Sequence, residues 1–379
     1  MHAEQRQRTH QLLRSSGVHR AVFAHPHSLT WLTGFAPAIQ LGPNLFAGGP
    51  ALLWYEDGHF TLIVMDGQAG AAGALAEEPD CEIVTYPGYT FQQPIDGFGG
   101  LRAALVKMAG KAAVGMKKQL GIEQQCLPLA LSSALGDADW TPMQPIDGWL
   151  TELRMVKTPE ELDKLRMNFV LTDIGHAAAQ GAVRPRRREI DIWTDIHSAI
   201  EQAAGHRVPL GNDCVVGSRQ ANIGGWPEDR ILDENGSIII DLSTVEQGYW
   251  SDSCATYYAS EPTPEQRRAH QVVADALEYA IQMIRPGLRA NEIDRATREF
   301  IAQAGYPVYP HHTGHGVGVS GHEEPRITPY NEQILQPGMV IMLEPGIYFP
   351  GKFGVRLEDA LLVTEDGAEI LTHHDKSVT

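Results

Sequence analysis

The chain has 379 residues, 43% hydrophobic and 20% charged, a balance that excludes a disordered chain and allows two domains with their own cores. With 30 Lys+Arg against 47 Asp+Glu the net charge is -17, which argues against nucleic acid or an anionic membrane surface as partner. Cys81, Cys126, Cys214 and Cys254 are far apart with no CxxC pair, so neither a disulfide framework nor a zinc ribbon is expected.

The start, MHAEQRQRTHQLLRSSG, is polar and lacks the apolar stretch of a secretory signal, and no run of 18 apolar residues occurs. A cytoplasmic location is expected. Residues 4–17 read as an amphipathic helix ended by Gly17, and 21–24 as a short strand. SLTWLTGF (28–35) reads as a loop, and PALLWYEDGHFTLIVM (50–65) as two strands meeting at an Asp57-Gly58 turn. His25 and His27 flank a proline and are taken as loop residues. A strand at 82–86 and a helical pattern near 99–109 complete an alternating α/β unit.

The texture changes around 143–160, and the domain boundary is placed near Gly148, giving domains 1–148 and 149–379. Thr158-Pro159-Glu160-Glu161 is a helix start, with a capping threonine, proline at the first position and an acid at the third. Helices are expected to about Ala182, over 189–204, over 264–284 with Thr263-Pro264-Glu265 repeating the start signal, and over 290–304. Helices segregated from hairpins make this half α+β.

The chemistry lies between and after these helices. In IIIDLSTVEQGYWSD, a reversal near Glu246 and Gln247 would set Asp241 directly opposite Asp252, where like charges are destabilising unless neutralised. In VIMLEPGIYFPGKFGVRLEDALLV, Glu344 and Glu358 are symmetric about Gly351 and would again be cross-strand neighbours. Between the two hairpins, PHHTGHGVGVSGHEEP supplies His311, His312, His315 and His322 among glycines that allow close approach. Asp241, Asp252, His315, Glu344 and Glu358 form an oxygen-rich donor set. It suits two divalent ions bridged by carboxylates (Mn, Co, Fe or Zn) better than one tetrahedral zinc, and implies hydrolysis.

DLSTVEQGYWSD, HHTGHGVGVSGHEEP, MLEPGIY and GVRLEDALLVTEDG, in this order, resemble the pita-bread metalloenzymes, which include methionine aminopeptidase, aminopeptidase P, prolidase and creatinase. SLTWLTGF and LRMVKTPEEL resemble the amino-terminal domain and linker helix of the prolidase and creatinase branch. The resemblance implies a pita-bread catalytic domain preceded by a creatinase/prolidase-like α/β domain, and a homodimer. It makes Asp241 a terminal ligand, Asp252 and Glu358 bridges, and His315 and Glu344 ligands of the other metal. Glu344 would also shuttle the proton, and His322 would stabilise the tetrahedral intermediate. His311 and Arg356 would line the substrate pocket, Arg356 through a bidentate contact with a substrate carboxylate.

The chain departs from the family in three places. The family's histidine upstream of the first aspartate is replaced by Gly224, whose space Asn222 or Trp226 is expected to take unless the substrate does without it. The frequent DxTR becomes Asp252-Ser253-Cys254-Ala255, and Ser243 stands where glycine is usual. The simpler readings are that His312 is a bystander, Arg356 a structural ion pair, Cys254 a small buried thiol and Arg184–Arg188 a solvated helix approach. GHGVGVSG lacks the following helix of a dinucleotide site, and His311 and His315 lack the glutamate of a zinc-protease helix. Two functions result: an Xaa-Pro peptidase using a metal-bridging hydroxide, or a hydrolase or lyase of a small metabolite of creatine, ectoine or sulfonium type.

Overall fold

A strand pair joined by a two-residue turn is the start of the first unit. Leu52–Glu56 (β2) and His59–Met65 (β3) pair antiparallel across Asp57 and Gly58, both with positive φ, as the Asp-Gly signal requires. The computed structural model describes residues 2–36, 50–88, 91–92, 94, 96–112 and 119–378, and divides into two compact units, Met1–Leu153 and Arg154–Thr379.

In the first unit, α1 (Ala3–Ser15) precedes β1 (Arg20–Phe23) and α2 (Pro26–Thr33). After β3 come a 3-10 segment (Asp66–Glu77), β4 (Cys81–Tyr86), α3 (Gly97–Ala112), β5 (Leu120–Ile122), α4 (Leu129–Asp137) and β6 (Met143–Pro145). They form one six-stranded mixed sheet in the order β4-β3-β2-β1-β5-β6. The stretch read as a loop at 28–35 is instead α2. His25 caps it by accepting from the His27 backbone N–H, Pro26 occupies the first turn, and Gly34 ends it at φ 72°. Burial of every residue from Ser28 to Thr33 outweighs the weak helix propensity of its threonines.

A short helix, α5 (Thr151–Met155), leads into the second unit. There α6 (Pro159–Ala182) begins with a full capping box between Thr158 and Glu161, and α8 (Pro264–Met283) with one between Thr263 and Gln266. α7 (Glu189–Ala204) and α9 (Ala290–Gln303) complete the helices. The strands are antiparallel: β7 (Leu210–Val216), β8 (Ser237–Glu246), β9 (Tyr249–Trp250) and β10 (Ser253–Tyr258) make one sheet. β11 (Gly314–Gly316), β12 (Glu323–Ile327), β13 (Val340–Leu343), β16 (Asp359–Val363) and β17 (Ala368–Ile370) make a second. β14 (Gly346–Phe349) and β15 (Phe353–Arg356) form a separate ribbon. Ile238, Ile239, Ile240 and Leu242 are fully buried, which makes β8 the centre of this unit's core. No helix among the described residues is long and apolar enough to cross a membrane.

Candidate metal centre

The two hairpins deliver their carboxylates differently. On β8 and β10, Cys254 rather than Asp252 lies opposite Asp241, and Ser253 opposite Leu242. The reversal is at Gln247 and Gly248, with φ of 51° and 79°, between the paired Glu246 and Tyr249. The expected face-to-face pairing of Asp241 with Asp252 is corrected by two positions, because a two-residue turn of left-handed residues matches strand twist and places glycine second. A shift by two preserves the face. Both acids therefore stay on the same side as diagonal neighbours, and Ser243 Oγ donates to Asp252 Oδ1 at 3.1 Å.

β7 adds a third acid to that face. Asp213 pairs with Asp241, and Gly211 with Ser243. The second ribbon behaves as its symmetry predicts. Gly346 pairs with Arg356 on one side and Leu343 with Asp359 on the other, so the same register sets Glu344 against Glu358 where both strands leave one sheet for the next.

His315, on the short β11, closes the cluster. Its Nδ1–H donates to the Gly316 carbonyl at 2.9 Å, which turns Nε2 inward. Nε2 lies 3.5 Å from Asp252 Oδ2, 3.7 Å from Glu344 Oε1 and 4.0 Å from Glu358 Oε1. Donor atoms of Asp252, His315 and Glu358 all lie within 4.8 Å of one another. Glu358 Oε2 is buried with no hydrogen-bond partner.

An orphaned carboxylate oxygen beside an imidazole lone pair is what a divalent cation needs, so the residues present fit a metal. Protonation shows the same demand. Burial, then the neighbouring carboxylates, pushes Asp252 and Glu358 well above the usual carboxylate range. Burial likewise raises Asp241 to about 6, against the pull of Arg356. Burial also works to raise Glu344, but the His312 hydrogen bond and the charges of His315, His311 and Arg356 outweigh it and hold the carboxyl at about 2. His315 is lowered to about 3 by burial and by His322.

The cluster opens on a cavity of about 260 Å³ whose wall includes Asp213, Trp226, Asp252, His322, Glu344 and Glu358. His322 is exposed there, its ring centroid 4.0 Å from that of His315. His311 and Arg356 are not on the wall. His311 Nε2 accepts from the Tyr348 hydroxyl at 2.9 Å, and burial lowers its pKa to about 4. Arg356 is buried, its Nη2 donating to Asp241 Oδ2 at 2.7 Å and Asp213 Oδ2 at 3.1 Å, and its Nη1 to the Tyr348 hydroxyl at 3.2 Å.

Residues 163–365 match metallopeptidase family M24, and residues 5–156 match the creatinase/prolidase N-terminal domain. The chain belongs to metallopeptidase family M24. An uncharacterized peptidase of Staphylococcus aureus is 34% identical to this M24 chain over 245 residues, 64% of the chain and 68% of the relative. The probable dipeptidase PepE of Mycobacterium tuberculosis is 40% identical over 221 residues, 58% of this chain and 59% of that protein. The prolidase of Pyrococcus furiosus has a similar structure, with a TM-score of 0.80, 26% identity, and coverage of 97% of this chain and 99% of that one. As an M24 member the chain is a metal-dependent hydrolase whose catalytic domain follows a creatinase/prolidase amino-terminal domain, in line with the motif resemblance.

Two M24-site features went unforeseen. His312, expected to be a bystander, lies with Nε2 2.7 Å from Glu344 Oε1. The space beside Gly224 is taken by Asp213 rather than Trp226: a Cβ on Gly224 would lie 2.6 Å from Asp213 Oδ2. The Asn222 side chain lies outside what the structure describes. An acid inside the apolar run LGNDCVV was the available signal for Asp213, and only pairing with β8 gives it meaning. Cys254 is a buried thiol, as read from the sequence, with Sγ 3.7 Å from the Arg356 carbonyl.

Proposed function

We propose that this chain is a dinuclear-metal-dependent Xaa-Pro peptidase of the prolidase or aminopeptidase P type. The observation that carries the reading is the convergence of Asp252, Glu344 and Glu358 on His315 Nε2 at the wall of a cavity. The prolidase of Pyrococcus furiosus supports the Xaa-Pro class, and the probable dipeptidase PepE supports a short peptide substrate. Asp241, Asp252, His315, Glu344 and Glu358 would hold two divalent ions (Mn, Co, Fe or Zn). Such ions supply Lewis acidity that lowers the pKa of a water and polarises an amide carbonyl.

The chain's own groups do the rest. Glu344 takes the proton of the attacking water, beside His312, and passes it to the leaving nitrogen. His322, on the cavity wall, faces the oxygen that becomes negative as the amide carbon turns tetrahedral. His311 and Arg356 act from behind the wall by fixing the Tyr348 hydroxyl between them. A homodimer in the cytoplasm completes the reading, the location supported by four unpaired cysteines.

One observation favours a second reading, a small-metabolite hydrolase or lyase on the same scaffold: at Gly224, where the motif resemblance leads one to expect a histidine, the space is filled by the Asp213 carboxylate. Metal analysis after purification without chelator is expected to give about two ions per chain. Release of the residue before proline, from Xaa-Pro dipeptides and from longer peptides, then decides. A fully metallated protein that cleaves the Xaa-Pro amide of none of them refutes the peptidase reading and leaves the second.

A further inference from the structure

The wall of the cavity is acidic and aromatic, and the guanidinium nearest its carboxylates, that of Arg356, is hidden. Among the described residues, no lysine or arginine lines the cavity. Arg356 is 2% exposed and turned onto Asp213, Asp241 and Tyr348. Asp213, in contrast, presents its carboxylate to the cavity. Its Oδ1 accepts from the Gly225 backbone N–H at 2.8 Å and its Oδ2 from Arg356, which leaves one acceptor position on each oxygen. A carboxylate accepts hydrogen bonds and donates none, so the group it recognises is an N–H donor, best a cation.

Trp226 stands beside it. The indole is 73% exposed yet lines the same cavity. Its backbone is fixed: Arg219 Nη2 donates to the Trp226 carbonyl at 2.7 Å, and Arg219 is paired with the buried Glu189. Glu189 also accepts from the backbone N–H of Val216 at 2.8 Å and of Glu228 at 2.9 Å. The loop at 224–228 is thus held from both ends, with its aromatic face kept at the mouth. An aromatic ring and a carboxylate together suit an alkyl stem ending in a positive charge.

We propose that Asp213 and Trp226 form a cation-accepting corner, and that the enzyme prefers substrates whose residue on the amino side of the scissile amide has a basic side chain. This specificity rests on the Xaa-Pro reading of the same site. Asp213 and Gly224 act as a pair: the carboxylate occupies the volume that a side chain at 224 would need.

The test compares kcat/KM for Lys-Pro, norleucine-Pro and Glu-Pro on the metal-loaded enzyme, its Asp213→Asn variant and its Trp226→Ala variant. Norleucine keeps the stem and removes the charge. Lys-Pro is expected to exceed norleucine-Pro about tenfold, the sum of a solvated ion pair and a cation–π contact, with Glu-Pro lowest. Asp213→Asn, which keeps an acceptor for Gly225, is expected to bring the first two together, and Trp226→Ala to reduce the ratio by roughly half in logarithmic terms. Equal rates for Lys-Pro and norleucine-Pro in the parent, or an unchanged ratio in both variants, overturns the proposal. Competition binding of L-lysine against L-norleucine, neither of which has a bond to cleave, separates the two readings. Tighter lysine binding that Asp213→Asn abolishes keeps the corner even if no Xaa-Pro substrate turns over, and equal affinities remove it.

Discussion

Glu123 and Glu358 are the same side chain buried to nearly the same extent, 4% and 1% exposed, in different units of the molecule. Glu123 is saturated: Oε2 accepts from the backbone N–H of Ala24 at 2.8 Å and of His25 at 2.7 Å, and Oε1 from Ser28 Oγ at 2.5 Å. Glu358 has an oxygen with no partner, and its charged neighbours include Asp252, Asp241 and Glu344. Burial alone therefore does not mark a functional acid. Partners do: a carboxylate supplied with donors is part of the fold, whereas one surrounded by other carboxylates is waiting for a cation.

The largest test of that contrast acts on the second cluster. Glu344→Gln is expected to lower kcat by on the order of 10²–10⁴ while the far-UV spectrum and melting cooperativity are kept, since the amide cannot carry the proton. Near-parental kcat would remove Glu344 from the chemistry. Glu123→Ala is expected to do the reverse, costing on the order of 3 kcal/mol of stability by stranding two backbone donors and a hydroxyl, with metal content unchanged. Denaturant midpoints and metal stoichiometry measured on the same samples separate the two. A Glu123→Ala protein that loses metal would dissolve the distinction.

How much of this was legible in advance follows from how local each signal is. Glu344 and Glu358 were placed correctly because their ribbon turns about a glycine, Gly351, that the local sequence identifies. The sequence places the Asp241 hairpin two residues off, since Gly248 reads as easing a bend centred one residue earlier, whereas in the fold it occupies the turn itself. Its acids survived the error because side chains alternate with period two. Asp213 was invisible for a different reason. The alternation in LGNDCVV shows that Asp213 and Val215 share a face, and only pairing of β7 with β8 says that the face is the one bearing Asp241. The helix at 26–33 was missed because burial and capping, not propensity, decide it. His312 reads as a bystander in the sequence because its contact with Glu344 depends on the path of a glycine-spaced loop that no periodicity reports.

Smaller effects sharpen the comparison from the metal-free side. Glu358→Gln replaces an acid that the metal-free fold already prefers protonated, so its apo form is expected to be as stable as the parent or about 1 kcal/mol more so near pH 8. The same change should lower metal content, and an apo variant much less stable than the parent would mean Glu358 has structural partners after all.

The pH dependence is the subtlest expectation, and its sign is opposite to that of carboxylates whose partners depress their pKa. Above about pH 7.5 the imidazoles of His176, His270, His311, His315 and His322, all lowered by burial, are neutral in the folded chain and nearly so in the unfolded one, and add little slope. Asp252 and Glu358 are raised, so the metal-free fold retains protons that the unfolded chain has released, and the folded state binds more protons than the unfolded. Stability then falls as pH rises, until the folded values are passed. Metal binding removes those protons in advance. Between about pH 7.5 and 8.5, the melting temperature of chelator-treated protein is therefore expected to drop while that of metal-loaded protein stays nearly level, and the gap between them to widen. Differential scanning calorimetry at three pH values decides the matter. Parallel curves would show that Asp252 and Glu358 hold no extra protons in the metal-free fold, and that like charge at this cluster creates no demand for a cation.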